Sequence, residues 1–437
     1  MVGMTATLVL TAITLFVLLI SSLPIAFCLA LSGIVGTMLF MGPAAILQVG
    51  AIPFSYTNGF SLLAIPMFVL MGNILLEYGI GSVLFDLFYR LVGKTRGGLA
   101  MASTLMCAVF GFACGSSSAS CATIGGNTLP EMYKRGYDKR LSVGALAIAG
   151  SLAVLIPPSI VMVVYSILSE TSLGAVMIAG ILPGLLLTVF IMVYIFIRVT
   201  VNPKLAPMSE DSYSMKDKLM AVVGLLPIAA LFVSIIGGLF FGWWDAIEAS
   251  AVGVFLALII CMVYFRYLSW KVLKRALIAS LNTSVMIYAL IVGGNILAYV
   301  FYVTGLQAGI GDFVAGLSVP GWLVIVTMGV IFMILGTFLD VIAMLTVAVP
   351  IFLPIVEKIG YDPVWFGILA VLFSEMALIT PPVGVNLFVI SAIAPKGTSL
   401  SDVAYGAAPY ILVIWLVAVL LIMYPGIALY LPSLMMN

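Results

Sequence analysis

Residues 129–138 read Leu-Pro-Glu-Met-Tyr-Lys-Arg-Gly-Tyr-Asp, and the apolar run after them ends on Ile156-Pro157-Pro158-Ser159. The landmarks of this stretch return 224 positions later. Pro130 recurs as Pro354, Gly136-Tyr137-Asp138 as Gly360-Tyr361-Asp362, and Pro157-Pro158 as Pro381-Pro382. Upstream, Gly72-Asn73-Ile74-Leu75 recurs as Gly294-Asn295-Ile296-Leu297; downstream, Thr171-Ser172-Leu173 recurs as Thr398-Ser399-Leu400. One shared tripeptide is chance, whereas a collinear series marks an internal duplication.

What is duplicated is a membrane segment. Of 437 residues 64% are hydrophobic and 8% charged, so the 33 charges cannot solvate the surface of a soluble fold this large. The chain has no histidine, which excludes histidine metal sites, Ser-His-Asp and Cys-His nucleophiles and imidazole proton relays. A net charge of +1 gives no basis for nucleic-acid binding. The five cysteines all lie in apolar runs and read as small core residues. The first apolar run, from Thr5, lacks a basic leader and a cleavage site, and reads as a retained span.

With about 20 apolar residues per crossing, ten spans are expected, near 5–21, 24–41, 60–79, 141–168, 173–197, 219–241, 248–265, 277–302, 364–394 and 403–431. Two further stretches are too long for one crossing and short for two. One is 98–130, interrupted at Gly115-Ser116-Ser117-Ser118; the other is 320–356, interrupted from Gly336 to Asp340. If both are re-entrant hairpins, all Lys and Arg except Lys358 fall on one side, as cytoplasmic loops prefer. Both termini then lie outside, with Trp243, Trp244, Trp322 and Trp365 near the outer interface and Trp270 near the inner one.

Each copy therefore reads span, hairpin, broken span, span. Five spans separate equivalent points, so the second copy is inverted. The predicted fold class is an all-α polytopic membrane protein of about ten spans and two re-entrant hairpins in an inverted repeat. Such repeats with broken helices are an architecture of secondary transporters, with the site at the repeat interface. A duplicated scaffolding protein would have little use for interrupted helices, which are costly in lipid unless they line a cavity.

Three features point to that interface. The first hairpin tip, Gly115-Ser116-Ser117-Ser118-Ala119-Ser120, offers close backbone approach and hydroxyl oxygens for a cation or an anionic substrate. A serine-rich helix contact is the plainer reading of the same residues. The Pro-Pro breaks remove backbone donors, which is expected to free carbonyls near Ser151 to Leu155 and Glu375 to Ile379. Asp340 and Glu375 place carboxylates inside apolar runs, where charge is expensive and usually functional. Asp340 sits at the second tip, where a cation would satisfy it; Glu375 reads equally well as a neutral or paired residue of the bundle. Glu77, Glu170 and Glu248 lie near span ends. Gly93-Lys94-Thr95 imitates the end of a P-loop, but the glycine needed five positions earlier is Phe88.

The run Cys114 to Gly125, the stretch Leu129 to Asp138, Ile156 to Ser159, Phe338-Leu339-Asp340, Pro350 to Pro354 and Thr380 to Phe388 together resemble the large membrane subunit of TRAP transporters. The likeness covers nearly the whole chain. It implies an ATP-independent uptake system of the bacterial inner membrane, importing small organic anions such as C4-dicarboxylates, keto acids or sialic acid with Na⁺ as the coupling ion and no other cofactor. It also implies two partners, a small four-helix membrane subunit and a periplasmic substrate-binding protein. An elevator mechanism is implied too, with hairpins and broken helices sliding against a scaffold. The chain begins almost directly with the first span, so no fused small subunit is expected.

On this combined reading the organisation is 1–59 scaffold spans and outer arm, 60–200 first repeat, 201–276 connecting scaffold spans, and 277–437 second repeat. Candidate Na⁺ ligands are Gly115, Ser116, Ser117, Ser151, Pro157, Gly336, Thr337, Asp340, Ala377 and Thr380. Candidate substrate contacts are Ser118, Ser120, Pro158, Ser159, Pro381, Pro382, Val383, Gly384 and Asn386. Some family members carry an acid where this chain has Ser120. The alternatives are a self-sufficient sodium/dicarboxylate symporter of the related inverted-hairpin superfamily, a channel, and an intramembrane hydrolase, the last opposed by the absence of histidine.

Overall fold

A computed structural model describes residues 3–92, 95–208, 213–317 and 319–435, and every regular element among them is helical. Gly93 and Lys94 of the P-loop-like tripeptide lie outside the described residues. An all-helical answer is what a lipid environment imposes on so apolar a chain, because helices satisfy their own backbone groups. Seven helices are long and apolar enough to cross a membrane, and Lys139–Leu155 with Ile160–Ser169 makes an eighth, bent by 49°. One of the seven, Val341–Lys358, is a hairpin arm. The ten expected spans are completed by Met4–Ile20, Ile25–Met41 and the broken pair Pro363–Leu378 and Val385–Ile393.

The two hairpins are Gly98–Cys114 with Ser117–Lys134, and Gly321–Leu335 with Val341–Lys358. Each returns to the end of the molecule it came from. At the mouth of hairpin 1 the Tyr137 hydroxyl accepts from the Leu99 amide at 3.3 Å. At the mouth of hairpin 2, Gly321 packs on the Tyr361 ring.

The two mouths lie at opposite ends, and cross-links among the loops define them. Glu77 pairs with Arg275 at 2.9 Å and Arg140 with Asp402 at 3.3 Å. Arg135 stacks on Tyr89, and Lys139 donates to the Gly397 carbonyl at 2.9 Å. The basic loops thus gather at one end. Lys358 sits at the other and pairs with Asp312.

The repeats interlock. The first arm of each hairpin packs on its own repeat's broken helix, Gly111 against Ala153 and Gly336 against Ala377, so closely that a Cβ on either glycine would overlap its neighbour. Ala153 and Ala377 are themselves 224 positions apart. The second arm packs on the other repeat: Ser117–Lys134 against Val385–Ile393, and Val341–Lys358 against Ile160–Ser169. Outside this unit, Ile25–Met41 lies along the 34-residue helix Trp270–Val303. Gly33 and Gly293 let those backbones meet, the small-residue packing expected where lipid supplies no hydrophobic drive.

The structure departs from expectation in three places. Short helices, Ile80–Val92 and Leu306–Gly316, precede each hairpin at equivalent positions; at 13 and 11 residues they are too short to read as spans. The last expected span, 403–431, is two helices, Leu400–Met423 and Gly426–Ser433, separated at Tyr424-Pro425. Trp365 does not face the membrane interface. It is buried, with its indole N–H donating to the Leu421 carbonyl at 2.8 Å, because the first turn of its helix is covered by Tyr361 and Leu400–Met423.

Candidate functional site

At the first tip the chain reverses through Gly115, whose φ of +59° lies in the left-handed region open to glycine. Ser116 then caps the next helix, its hydroxyl accepting from the Ala119 amide at 3.4 Å. Asn386 comes from the other repeat to secure this tip. Its amide donates to the Ser117 hydroxyl at 2.6 Å and accepts from the Ser118 hydroxyl at 3.3 Å. Asn386 is fully buried and sits just after Gly384, whose φ of +41° lets the outgoing half-helix begin. At the second tip Asp340 occupies the position equivalent to Ser116. Its carboxylate caps Val341–Lys358 by accepting from the Ala343 amide at 2.8 Å.

Both tips line one cavity of about 290 Å³. Gly115 to Ser118 form one wall and Asp340 to Ile342 another. The broken helices contribute Val154, Ile160 and Val161 from the first repeat and Glu375, Leu378 and Val385 from the second; Thr283, Met286 and Ile287 of Trp270–Val303 complete it. Among the described residues no lysine or arginine lines it. Two helices, starting at Ser117 and Val341, begin at this cavity, and helix N-termini favour anions.

Glu375 is the least satisfied group of the site. It is 1% exposed, and neither carboxylate oxygen has a hydrogen-bond partner. The Ser117 and Ser151 hydroxyls lie beside it. The Ser151 hydroxyl is also without a partner, as is that of Ser120 deeper in hairpin 1.

Of the residues singled out in the sequence, Gly115, Ser116, Ser117, Ser118 and Asp340 meet at the cavity, with Ser151 and Asn386 directly behind it. The others serve the breaks and turns. Ser159 caps Ile160–Ser169 through the Met162 amide at 3.4 Å, and Pro157 and Pro158 are buried beside it. Gly336 is pressed on Ala377. Thr337 donates to the Ile334 carbonyl at 2.8 Å and Thr380 to that of Met376 at 2.7 Å. Pro381, Pro382 and Val383 form an exposed loop outside the cavity lining. The carbonyls expected to be freed are partly reused. Those of Ser151 and Leu152 accept from Leu155 and Ile156 in ordinary i→i−4 helix bonds, whereas those of Met376 and Ala377 accept from Ile379 and Thr380, only three residues on, because the chain tightens before the second Pro-Pro pair. Among the described residues no group of three His, Cys, Asp or Glu side chains is placed to hold a metal ion.

Sequence reading underrated two residues. Glu375 stands 224 positions after Ser151, a signal that the repeat itself carries. Thr283 lies in the polar run Asn282-Thr283-Ser284 inside an expected span.

An inverted repeat of hairpins and broken helices around a single cavity defines a polytopic membrane transporter. The chain belongs to the family described as "Tripartite ATP-independent periplasmic transporter, DctM component", whose model matches residues 12–427. It is 33% identical over 407 residues to a C4-dicarboxylate TRAP transporter large permease protein of Pseudomonas aeruginosa, covering 93% of each chain. It is also 33% identical over 377 residues to an isethionate TRAP transporter permease protein DctMQ of Oleidesulfovibrio alaskensis, covering 86% of this chain and 59% of that longer one. The fold is shared with the YdaH transporter of Alcanivorax borkumensis at a TM-score of 0.63, 16% identity, 89% coverage of this chain and 90% of that one.

Proposed function

We propose that the chain is the permease of a Na⁺-coupled importer of a small organic carboxylate, working in the bacterial inner membrane. Its partners are a small four-helix membrane subunit and a periplasmic substrate-binding protein. The cavity shared by both hairpin tips carries the reading. It offers hydroxyls, two helix N-termini and the half-buried Asp340, with no basic side chain among the described residues of its lining. An organic anion entering beside a carboxylate in low dielectric needs a compensating positive charge, and a co-transported cation supplies it. The names of the relatives, C4-dicarboxylate and isethionate, support a small anion as cargo.

Transport is by an elevator movement. Hairpins and broken helices, locked together across the repeats, slide as one body against the helices at 1–59 and 201–276. Proteoliposomes holding the permease, its small subunit and the binding protein test the coupling. Uptake follows an inward Na⁺ gradient and stops when K⁺ replaces Na⁺ on both sides. Equal uptake in symmetric K⁺ contradicts the proposal.

A further inference from the structure

We infer that the cytoplasmic start of Trp270–Val303 binds an anionic phospholipid of the inner leaflet, with the headgroup held by Arg266, Lys271 and Lys274. Charge sets this stretch apart. Between Glu248 and Asp312 the chain has no acidic residue, and its four basic ones, Arg266, Lys271, Lys274 and Arg275, fall within ten positions. Arg275 is taken, paired with Glu77 at 2.9 Å. Elsewhere at this end the bases are tied into the fold, Arg140 to Asp402, Arg135 to Glu131 and Lys139 to the Gly397 carbonyl. Among the described residues Arg266, Lys271 and Lys274 are exposed and make no ion pair or side-chain hydrogen bond. Three cations without a counter-charge, at the level of the lipid headgroups, call for an anion from outside the chain.

Geometry points the same way. The turn into the helix winds on the buried Tyr78, whose ring lies 5.9 Å from that of Phe265 and 6.3 Å from that of Tyr267. The Tyr78 hydroxyl accepts from the Ser269 amide at 2.7 Å, so Arg266 and Lys271 are fixed on either side of one short turn. Lys271 and Lys274 stand three apart on the helix, with about 5–6 Å between their Cβ atoms, a spacing that a phosphate can bridge. Trp270 is exposed at the same level, where an interfacial ring belongs. Leu277, Ile278, Leu281 and Val285, all exposed, continue the face of Lys274 into the membrane. Cations above an apolar stripe match a phospholipid, phosphate above acyl chain. A neutral protein helix seated on the same stripe would leave all three charges uncompensated. The opposite face of the helix carries Thr283, Met286 and Ile287, which wall the cavity. Headgroup binding therefore fixes the depth of that wall in the membrane.

Thermal unfolding of the purified permease, alone and with its small subunit, is followed in an uncharged detergent as phospholipid is added. Phosphatidylglycerol and phosphatidylethanolamine with the same acyl chains are compared. Wild type is stabilised by phosphatidylglycerol at lower concentration than by phosphatidylethanolamine, and added choline chloride weakens that preference by screening. In Arg266→Gln/Lys271→Gln/Lys274→Gln the phosphatidylglycerol midpoint moves about tenfold higher or more. Arg266→Lys/Lys271→Arg/Lys274→Arg keeps it near the wild-type value. Lys216→Gln/Lys218→Gln, which removes two charges at the same end of the molecule from another helix, leaves it unchanged. If the triple glutamine variant does not fold, Lys271→Gln and Lys274→Gln decide, each expected to shift the midpoint a few-fold. A wild-type midpoint in the glutamine variants, equal responses to the two lipids, or a preference indifferent to choline chloride overturns the lipid site. So does loss of the phosphatidylglycerol response when the small subunit is bound, which would make the stripe a protein interface.

Discussion

The two halves of the molecule share a backbone plan and divide the chemistry. Where the first repeat has Ser116 at its hairpin tip, the second has Asp340; where the first has Ser151 before its break, the second has Glu375. Both tip residues cap the following helix, Ser116 through the Ala119 amide and Asp340 through that of Ala343. The same structural duty is thus met once by a neutral oxygen and once by a charge. Beyond the cap the tips diverge. The first continues with Ser117 and Ser118, held by Asn386 of the other repeat, and the second with Val341 and Ile342.

Their surroundings differ too. The first Pro-Pro break is buried and the second exposed. Phe338 of the second tip reaches outside the repeats to pack edge-to-face on Phe16, ring centroids 5.9 Å apart. Inverted duplication supplies two equivalent scaffolds, and selection has placed the hydroxyls in one and the carboxylates in the other.

The largest effect is expected where the second tip touches the first helix. If the repeats slide against that helix, a short bis-maleimide joining Phe16→Cys to Phe338→Cys abolishes uptake, while each single variant keeps it. Unimpaired uptake by cross-linked protein breaks the sliding model. Asp340→Asn comes next. Asparagine caps a helix as well as aspartate does, so assembly survives and only the charge is lost. The Na⁺ dependence of uptake then moves by about ten- to a hundredfold, from a loss of about 1–3 kcal/mol for a missing ligand.

Ser117→Ala is milder, about tenfold or less, because it removes one neutral oxygen and leaves Asn386 bonded to Ser118. Equal effects in the two variants would erase the distinction between the tips. The smallest effect belongs to Glu248→Gln. Glu248 forms a capping box with Asp245 at an exposed helix start, and glutamine supports the same geometry. Uptake within twofold of wild type is expected.

Much of this comparison was legible in the chain. Proline pairs, the Gly-Tyr-Asp turns and the serine run punctuate an otherwise featureless apolar sequence, and punctuation survives duplication better than the interchangeable aliphatics between. Hence the repeat, its inversion and both tips could be read. Ile80–Val92 and Leu306–Gly316 could not, since a short amphipathic helix lacks the length that signals a crossing. Asn386 was recognisable only as part of a Pro-Pro-Val-Gly-Val-Asn segment; its bond to Ser117, 269 positions away, is a product of how the repeats interlock. Trp365 shows the limit of the aromatic-belt rule, because this tryptophan near a span end is covered by a neighbouring helix. The carbonyls before the second break show another limit: a proline removes a donor, and the chain tightens locally to use acceptors it left.

Inversion itself is tested most directly from the two sides of the membrane. With the five buried cysteines replaced, Lys134→Cys at the end of hairpin 1 and Lys358→Cys at the end of hairpin 2 are exposed to a membrane-impermeant maleimide in right-side-out and inside-out vesicles. The account predicts that Lys134→Cys is labelled only from the cytoplasmic face and Lys358→Cys only from the opposite face. Labelling of both from the same side would contradict it.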